Sequence, residues 1–525
     1  MRRPAVLDDA IDRLRLFGDR FDAFAARRFA WVEARPVRAA LVLIVGHVLV
    51  WTLWASLSHG NLASSVDPVE NWNWGKEWQW GYYKHPPFFA WVVGAWFTLW
   101  PRADWAYFLL SATNAALGLA AVWAMVGVIE TGRRRLLAVA ALVLTPMYGM
   151  LALKFNANAV LLSLWPWAVW AFLAALKSPT VLRGAVLGLL LAAAMLSKYV
   201  SVVLVLAMLA VMLIDRDRRR LMLSPAAIAA AVVGALATAP HLVHLVHTDF
   251  APLHYAEHVR AASLGQFLDY FVRFPLSQLL FQLPLIALVI VAVAREDRRS
   301  LLRLFDWRAS NPDRRAMLLL GFGPFLAMAA LGVWKWARLT SQWAFPVWFA
   351  SGWLLASAPG VREERLRLDR VAAAIALAWV LLLASAPVVR VAGIVSGASV
   401  HLEPRAELAR EVTRRWHEAT GGARLAVVGG AFQLAHDTGF YSPDDPSVLI
   451  DYDWKKSPWL SPGGVARTGI ALLCPVAAAE CEAEGRRLFG PDLLVADVAL
   501  ARFRFGLAAR PVTTRLLMRL PAKSG

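Results

Sequence analysis

Residues 37–58 read VRAALVLIVGHVLVWTLWASLS, and residues 66–87 soon afterwards read VDPVENWNWGKEWQWGYYKHPP. As a helix, the first segment is long enough to cross a hydrocarbon core of about 30 Å. The second segment combines acidic, basic and aromatic residues directly after that helix. This junction predicts a membrane protein that carries its chemistry at one edge of the bilayer.

The rest of the chain continues the apolar pattern. Of its 525 residues, 59% are hydrophobic and 18% are charged, against about 45–50% and about 25% in soluble proteins. This composition excludes a disordered chain, and a single large soluble enzyme is not expected. Further apolar runs lie at 86–100, 105–129, 136–152, 157–176, 183–197, 199–214, 222–241, 274–294, 315–333, 341–357 and 370–390. They predict an α-helical polytopic membrane protein.

Charge sets the predicted orientation. Lys and Arg number 55 against 37 Asp and Glu, a net charge of +18. The basic clusters lie in short loops between apolar runs, as expected of cytosolic loops, so a nucleic-acid partner is not predicted. The N-terminus is then cytosolic and the C-terminus external. Eleven helices cross if 86–100 does not span the membrane, and twelve or thirteen cross if it does.

The predicted organisation has three parts. Residues 1–36 form a cytosolic or interfacial N-terminal segment, and 37–394 form the transmembrane domain, with external loops at 59–86 and 242–273. Residues 395–525 have polar spacing and turn signals that predict a small external α/β domain. Its two cysteines, Cys474 and Cys481, would form a local disulfide in an oxidising compartment; the sequence leaves that pairing open.

The first loop contains the strongest candidate site. Asp67 and Glu70 are three residues apart on one helical face, and a carboxylate near a low-dielectric boundary can act as a general base. Lys84 and His85 follow, where a cation can bind a lipid phosphate. Eight tryptophans between Trp72 and Trp105 are also typical of a simple interfacial aromatic belt. The belt alone does not explain the carboxylates.

This loop resembles a known family. An acid after the first helix, followed by Trp-Gly-Tyr-Tyr-Lys-His-Pro-Pro, is similar to bacterial members of the protein O-mannosyltransferase superfamily. These are family 39-like enzymes of the GT-C fold, and they include lipid A aminoarabinose and galacturonic acid transferases. Weaker similarities lie at 153–162, 188–199, 257–260, 439–444 and 457–459.

The resemblance implies specific roles. Asp67 corresponds to the family's catalytic base, and Glu70 shares or supports that role. Lys84 or His85 binds the donor phosphate, with the choice between them open, and Arg260 is the second phosphate ligand. Candidate residues of the substrate cavity are Tyr82, Tyr83, Asn158, Lys198, Lys335 and Arg338. The alternative for the three cations in this set is snorkelling to the interface.

Metal binding is not predicted. Relatives often have Asp where this chain has Asn158, and the five histidines between His241 and His258 have only Asp249 as a nearby acid. They are therefore interpreted as structural. No cofactor is expected, although a divalent cation is left open.

The expected function is an integral membrane glycosyltransferase of the bacterial inner membrane. It would transfer a sugar, with inversion, from a polyprenyl-phosphate donor to an envelope acceptor on the periplasmic face. Lipid A or lipopolysaccharide, another glycan and protein hydroxyls all remain open as acceptors. The rival hypotheses are a transporter or flippase of lipid-linked sugars and a non-catalytic receptor. A transporter would be expected to show internal repeats and charges in mid-membrane, whereas here the charges collect at the external edge.

Overall fold

The N-terminal part of the chain is helical. The computed structural model describes residues 5–62, 65–396, 400–504, 507–508 and 511–522. It begins with α1 (Ala5–Phe29), α2 (Trp31–Ala34) and α3 (Pro36–Ser58). Pro36 opens α3, where its missing N–H leaves no hydrogen bond unmade. The first external loop follows α3 directly.

Fourteen further helices form the loops and the transmembrane region. They are α4 (Asp67–Gly75), α5 (Phe88–Leu99), α6 (Asp104–Ile129), α7 (Arg133–Leu142), α8 (Leu161–Lys177), α9 (Val181–Met195), α10 (Val202–Ile214), α11 (Arg216–Arg219), α12 (Pro225–His247), α13 (Ala251–Glu257), α14 (Leu264–Ala292), α15 (Pro312–Lys335), α16 (Ser351–Ala356) and α17 (Leu368–Ser396). A 3₁₀ segment, Ser341–Ala350, precedes α16.

Six of these helices are long and apolar enough to cross a membrane: α3, α6, α12, α14, α15 and α17. A seventh span would combine α10 with the segment ending at Leu223, which is bent by 111° against it. Three shorter apolar helices, α5, α8 and α9, accompany them. The larger number of crossings expected from the sequence, eleven to thirteen, stays a prediction. The 12 residues of α5 extend about 18 Å, less than the hydrocarbon thickness.

The second external loop is shorter than the predicted 242–273. Helix α12 continues to His247, and α14 already begins at Leu264. The Ser263 side chain accepts a hydrogen bond from the Gln266 backbone and so caps α14. Residues at both ends of the predicted loop therefore continue the flanking helices.

The C-terminal part is an α/β unit. Its elements are α18 (Arg405–Thr420), β1 (Val427–Gly430), α19 (Phe432–Tyr441), β2 (Ser447–Val448), α20 (Pro462–Thr468), β3 (Ile470–Pro475), α21 (Ala479–Phe489), β4 (Leu494–Leu500), β5 (Phe503–Arg504), β6 (Leu507–Ala508) and β7 (Val512–Arg519). Five strands form one sheet in the order β2-β1-β3-β7-β4, with β1 parallel to both of its neighbours and β7 antiparallel to both of its own. Cys474 and Cys481 form a disulfide. The predicted fold class, a helical membrane protein with a small C-terminal α/β domain, is confirmed.

Helix α19 packs against the first external loop. The Asn73 amide donates to the His436 carbonyl at 2.9 Å, and the Lys76 ammonium pairs with Asp445 at 2.9 Å. Gly439 allows this approach, because a Cβ there would lie 2.2 Å from Oδ1 of Asn73. The C-terminal unit thus helps to position α4, which carries both candidate acids.

Candidate active site at the first external loop

Asp67 is the first residue of α4, and Pro68 follows it. An acidic residue at a helix N-terminus is stabilised by the exposed N–H groups of the first turn. Its Oδ2 accepts a hydrogen bond of 2.7 Å from Nδ2 of Asn156. Asp67 is half-buried, so this contact fixes one carboxylate oxygen at the edge of the protein interior.

Asn156 is itself held in place. Its Oδ1 accepts hydrogen bonds from the backbone N–H groups of Asn158 and Ala159, at 2.9 and 3.0 Å. The adjacent Phe155 carbonyl accepts from Asn71 of α4 at 2.6 Å and from the Tyr107 hydroxyl at 2.6 Å. The segment before α8 therefore fixes α4 and orients the Asp67 carboxylate in one contact network.

Glu70 takes a different position from Asp67. Its side chain is buried and pairs with the Lys84 ammonium at 2.8 Å. Burial raises the pKa of Glu70 to about 7, although the neighbouring Lys84 opposes that shift. The geometry favours a supporting role for Glu70, because its oxygen is already occupied by the cation.

Lys84 lies among aromatic rings from three parts of the chain. Its Nζ is 5.1 Å from the Tyr83 ring, 5.8 Å from Trp74, 5.8 Å from Tyr255 and 4.7 Å from Phe432. These belong to the first loop, α13 of the second loop and α19 of the C-terminal domain. Ring faces attract a cation without neutralising it. We call Lys84, Glu70 and these four rings the lysine cage.

His85 differs from Lys84 in charge. Burial lowers the pKa of His85 to about 3, and the positive charges of Lys198 and Lys84 act in the same direction. The imidazole is therefore neutral near pH 7. Of the two residues between which the sequence leaves the choice open, Lys84 therefore carries the positive charge, and its role as a phosphate ligand stays a prediction.

A second cation lies on the Asp67 side. Lys198 donates to Oδ1 of Asn158, and its Nζ is 4.9 Å from the Trp343 ring. Burial lowers the pKa of Lys198 to about 7, while the negative charge of Asp67 opposes the shift. Burial likewise lowers the pKa of Lys154, again opposed by Asp67. Two lysines thus act electrostatically on the candidate base.

The two predicted tyrosines have distinct contacts. The Tyr82 ring stacks on Trp74 at 4.8 Å, and its hydroxyl donates to the Trp74 carbonyl at 2.6 Å. Tyr82 is fully engaged in the loop itself. Tyr83 packs edge-on against Tyr255 at 5.9 Å and joins the first loop to the second. Of the two, Tyr83 is the better placed to face a substrate.

Arg260, Lys335 and Arg338 form a separate group. Arg260 makes a backbone bridge with Ala337, and Arg338 donates to the His258 carbonyl. The Arg260 and Lys335 side chains are exposed. This group reaches the lysine cage through His258, whose ring stacks on Tyr255 at 5.8 Å. The predicted phosphate ligand Arg260 therefore lies at a rim, and no contact of its side chain with the cage is found among the described residues.

His241 of α12 acts as a packing group. His241 bonds to the Trp80 carbonyl at 2.6 Å through Nδ1 and to the Tyr199 hydroxyl at 2.8 Å through Nε2. Within the described part of the chain, no group of three or more His, Cys, Asp or Glu side chains is placed to hold a metal ion. His241 instead attaches the first loop to the transmembrane region.

Four residues that contact or lie close to the candidate acids and Lys84 were not singled out from the sequence: Asn156, Lys154, Tyr255 and Phe432. Asn156 and Lys154 lie in the 153–162 stretch that resembles the family, interpreted there as a helix start; the structure instead has a turn, with α8 beginning at Leu161. An Asn side chain that accepts from the backbone N–H two residues further on forms such a turn, as Asn156 does here. Nothing local marks Phe432, because its role depends on how α19 docks.

Comparison with known proteins finds one family model that matches part of the chain. Residues 84–244 match the family model described as dolichyl-phosphate-mannose-protein mannosyltransferase. No curated protein is significantly similar to the chain.

Two solved structures are also similar to the chain, at low sequence identity. ArnT from Cupriavidus metallidurans bound to undecaprenyl phosphate is 15% identical, with 90% of this chain and 97% of that chain covered and a TM-score of 0.44. The oligosaccharyltransferase of Archaeoglobus fulgidus in its apo form is 13% identical, with 87% and 69% covered and a TM-score of 0.47. The family match begins at Lys84 and takes in the Asn156 and Lys198 segments, and over this stretch it confirms the predicted resemblance to the protein O-mannosyltransferase superfamily.

Proposed function

We propose that this protein is a membrane glycosyltransferase that moves a sugar from a polyprenyl-phosphate donor to an envelope acceptor. The observation that carries the proposal is the pairing of Asp67 with Asn156, beside a cluster of lysines. One oxygen of the carboxylate is fixed at 2.7 Å by the Asn156 amide. The family model that matches residues 84–244 is named for a polyprenyl-phosphate sugar, which supports this class of donor.

In the proposed reaction, Asp67 accepts the proton of the acceptor hydroxyl. The hydroxyl oxygen then attacks the anomeric carbon, and the bond between that carbon and the phosphate oxygen breaks with inversion. The phosphate leaves with the electron pair and gains negative charge. Lys84 stabilises that charge, because a fixed cation in a poorly solvated site stabilises charge that develops in the transition state.

The lysine cage supports this assignment. A phosphate that approaches Lys84 meets a cation held at 2.8 Å by a single carboxylate, Glu70. The raised pKa of Glu70, about 7 because of its burial, means that the carboxyl can take up a proton when the phosphate replaces it. Lys84 can therefore exchange one anionic partner for another without a buried negative charge being left unpaired.

The disulfide supports an external location for the C-terminal domain. Cys474 and Cys481 are bonded, and such bonds persist in oxidising compartments. The basic loops are expected on the opposite, cytosolic side of the membrane. The disulfide and these loops together agree with a bacterial inner membrane protein whose site opens to the periplasm. The sugar and the acceptor are left to experiment.

The deciding test is Asp67→Asn. The Asn side chain has the same shape and still offers an oxygen to the Asn156 amide, but it cannot act as a base. Loss of a general base lowers turnover by about 10²–10⁴-fold. Mass spectrometry of envelope lipids and glycans would compare a deletion strain complemented with wild type, with Asp67→Asn, or with Asp492→Asn. Asp492 is an exposed acid of the C-terminal domain and serves as the matched control.

The expected result is a sugar-bearing product that is present with wild type and Asp492→Asn and absent with Asp67→Asn. The mass difference would identify both the sugar and the acceptor. Full product formation by Asp67→Asn, at equal protein level, would reject Asp67 as the base. A deletion strain with an unchanged envelope would argue against transfer as the function.

A further inference from the structure

The segment 450–459 of the C-terminal domain has an unusual backbone. Asp451 and Tyr452 are consecutive residues with positive φ, 48° and 57°. Left-handed conformations are disfavoured for residues other than glycine, and they persist where the surrounding structure enforces them, commonly at functional sites. The sequence resemblance already extends to Ser457-Pro458-Trp459 at the end of this segment.

One contact to a neighbouring helix and one contact within the segment hold this conformation. The Tyr452 hydroxyl donates to the Cys481 carbonyl of α21 at 2.8 Å. The Ile450 backbone donates to the Ser457 hydroxyl at 2.8 Å, and Ser457 is fully buried. The segment is thus fixed at both ends, while Asp451 and Lys456 between them reach towards the first external loop.

Lys456 faces the same ring as the cage lysine. Its Nζ is 5.2 Å from the Tyr83 ring centroid, and Nζ of Lys84 is 5.1 Å from that centroid. Trp459 contacts the adjacent Tyr82 at a ring distance of 6.5 Å. The Tyr83 ring is therefore close to both a cation of the first loop and a cation of the C-terminal domain.

The two lysines differ in how firmly they are paired. Lys84 and Glu70 expose only 15% and 4% of their side chains, whereas Lys456 and Asp451, 2.7 Å apart, expose 31% and 39%. An exposed ion pair is screened and weakly held, so either partner readily exchanges for a ligand group. A ligand can therefore reach Lys456 and Asp451 more easily than it can reach Lys84 and Glu70.

We propose that Lys456, Asp451 and the Tyr83 ring form a subsite for an acceptor glycan that carries an anionic group. The ammonium would bind the phosphate or carboxylate of the acceptor, the Asp451 carboxylate would accept hydrogen bonds from sugar hydroxyls, and the ring would support the sugar face. This inference rests on the proposed function, and it assigns the C-terminal domain to acceptor recognition. The acceptor would then meet the donor phosphate across Tyr83.

Binding measurements on the full-length protein in detergent test the subsite directly. The probes are lipid A, which carries phosphates, an oligogalacturonate, which carries carboxylates, and dephosphorylated lipid A as the uncharged counterpart. A polyprenyl phosphate probes the donor side separately. Titration calorimetry would compare wild type with Lys456→Ala, Lys456→Arg and Lys455→Ala; Lys455 is the adjacent, exposed lysine.

We expect at least one anionic probe to bind wild type, with about a tenfold loss of affinity in Lys456→Ala. Lys456→Arg should retain most of the affinity, and Lys455→Ala should match wild type. Binding of the polyprenyl phosphate should be the same in all four proteins. Dephosphorylated lipid A should bind weakly, and equally, to wild type and Lys456→Ala.

Three outcomes would overturn the subsite: neither anionic probe binds wild type, Lys456→Ala binds them as wild type does, or Lys455→Ala loses as much affinity as Lys456→Ala. Each can occur while the polyprenyl phosphate still binds and Asp67→Asn still abolishes transfer. In that case only the acceptor subsite fails. If the wild type does not bind the polyprenyl phosphate, that result would instead count against the proposed function.

Discussion

The first external loop fixes its charged groups against the rest of the protein, whereas the second external loop leaves its own exposed. In the first, Asp67 is bound by Asn156, and Glu70 is buried with Lys84. In the second, Arg260 is exposed, and its segment is attached through a backbone bridge to Ala337.

The contrast between fixed and exposed charges predicts that the two loops contribute to the proposed site in different ways. Groups that are fixed before a ligand arrives stabilise charge in the transition state without reorganisation. An exposed arginine contributes a more screened attraction, which helps to recruit an anion but orients it less. We therefore expect substitutions in the first loop to have larger effects than equivalent ones in the second.

Lys84→Ala should have the largest effect of this set. Loss of a fixed group that stabilises the leaving phosphate should lower kcat/KM for the donor by about 10²–10³-fold. The variant also removes the partner of buried Glu70, which then takes up a proton, and a buried polar group without its partner should destabilise the fold by about 1–3 kcal/mol. Transfer kinetics with varied donor, together with thermal unfolding in detergent, would measure both effects.

A double variant separates chemistry from folding in that experiment. Lys84→Ala combined with Glu70→Gln removes both charges, so thermal stability should largely return while donor kinetics stay impaired. Recovery of both properties would mean that Lys84 acts only through the fold. The contrast between the loops would then lose its strongest support.

Asn156→Asp should have the next largest effect. The substitution keeps the Oδ1 atom that caps the Asn158 and Ala159 backbone but replaces the donor to Asp67 with a second negative charge. Hydrogen bonds to charged groups contribute about 1.5–3 kcal/mol, so turnover should fall by about 10–100-fold. Initial rates at saturating donor would check this, and an unchanged rate would show that Asp67 needs no orienting partner.

The sequence predicts the first loop well and the second loop poorly, for a physical reason. Asp67, Glu70 and Lys84 are close in sequence, so local spacing already predicts their neighbourhood. Asn156 joins Asp67 across 89 positions and Phe432 reaches Lys84 from the C-terminal domain, and such contacts depend on packing that no local pattern encodes. The helical membrane class follows from composition alone.

Arg260→Ala should have a smaller effect and a different character. Because Arg260 is exposed, its loss should raise the donor KM by about 1.4–5-fold, corresponding to the roughly 0.2–1 kcal/mol of an exposed ion pair. The increase should shrink in high salt, since exposed charges are screened. Arg273→Ala is the matched control, an exposed arginine of α14 paired with Asp269. An effect of Arg260→Ala as large as that of Lys84→Ala would erase the contrast between the loops.

Glu70→Gln should have the smallest effect, visible mainly as a change in pH dependence. The folded pKa of Glu70 is about 7 because of burial, against an ordinary value of 4.5, so the folded state holds this proton more tightly than the unfolded state. Its contribution to the free energy of unfolding is therefore full below about pH 4.5 and is lost as pH rises through 7, at most about 3 kcal/mol.

The charged groups that act on Glu70 are Lys84, Asp67 and Asp451, and all three remain in Glu70→Gln. Lys198, whose pKa burial lowers to about 7, acts in the opposite direction above pH 7, because there the unfolded state binds more protons. The unfolding temperature of the wild type should therefore fall as pH rises from 5 towards 7. The corresponding fall should be smaller in Glu70→Gln. Parallel curves for the two proteins over pH 5–7 would mean that Glu70 is ionised throughout this range. Lys84 and Glu70 would then be a permanent ion pair, and Glu70 could not release Lys84 to a phosphate by taking up a proton.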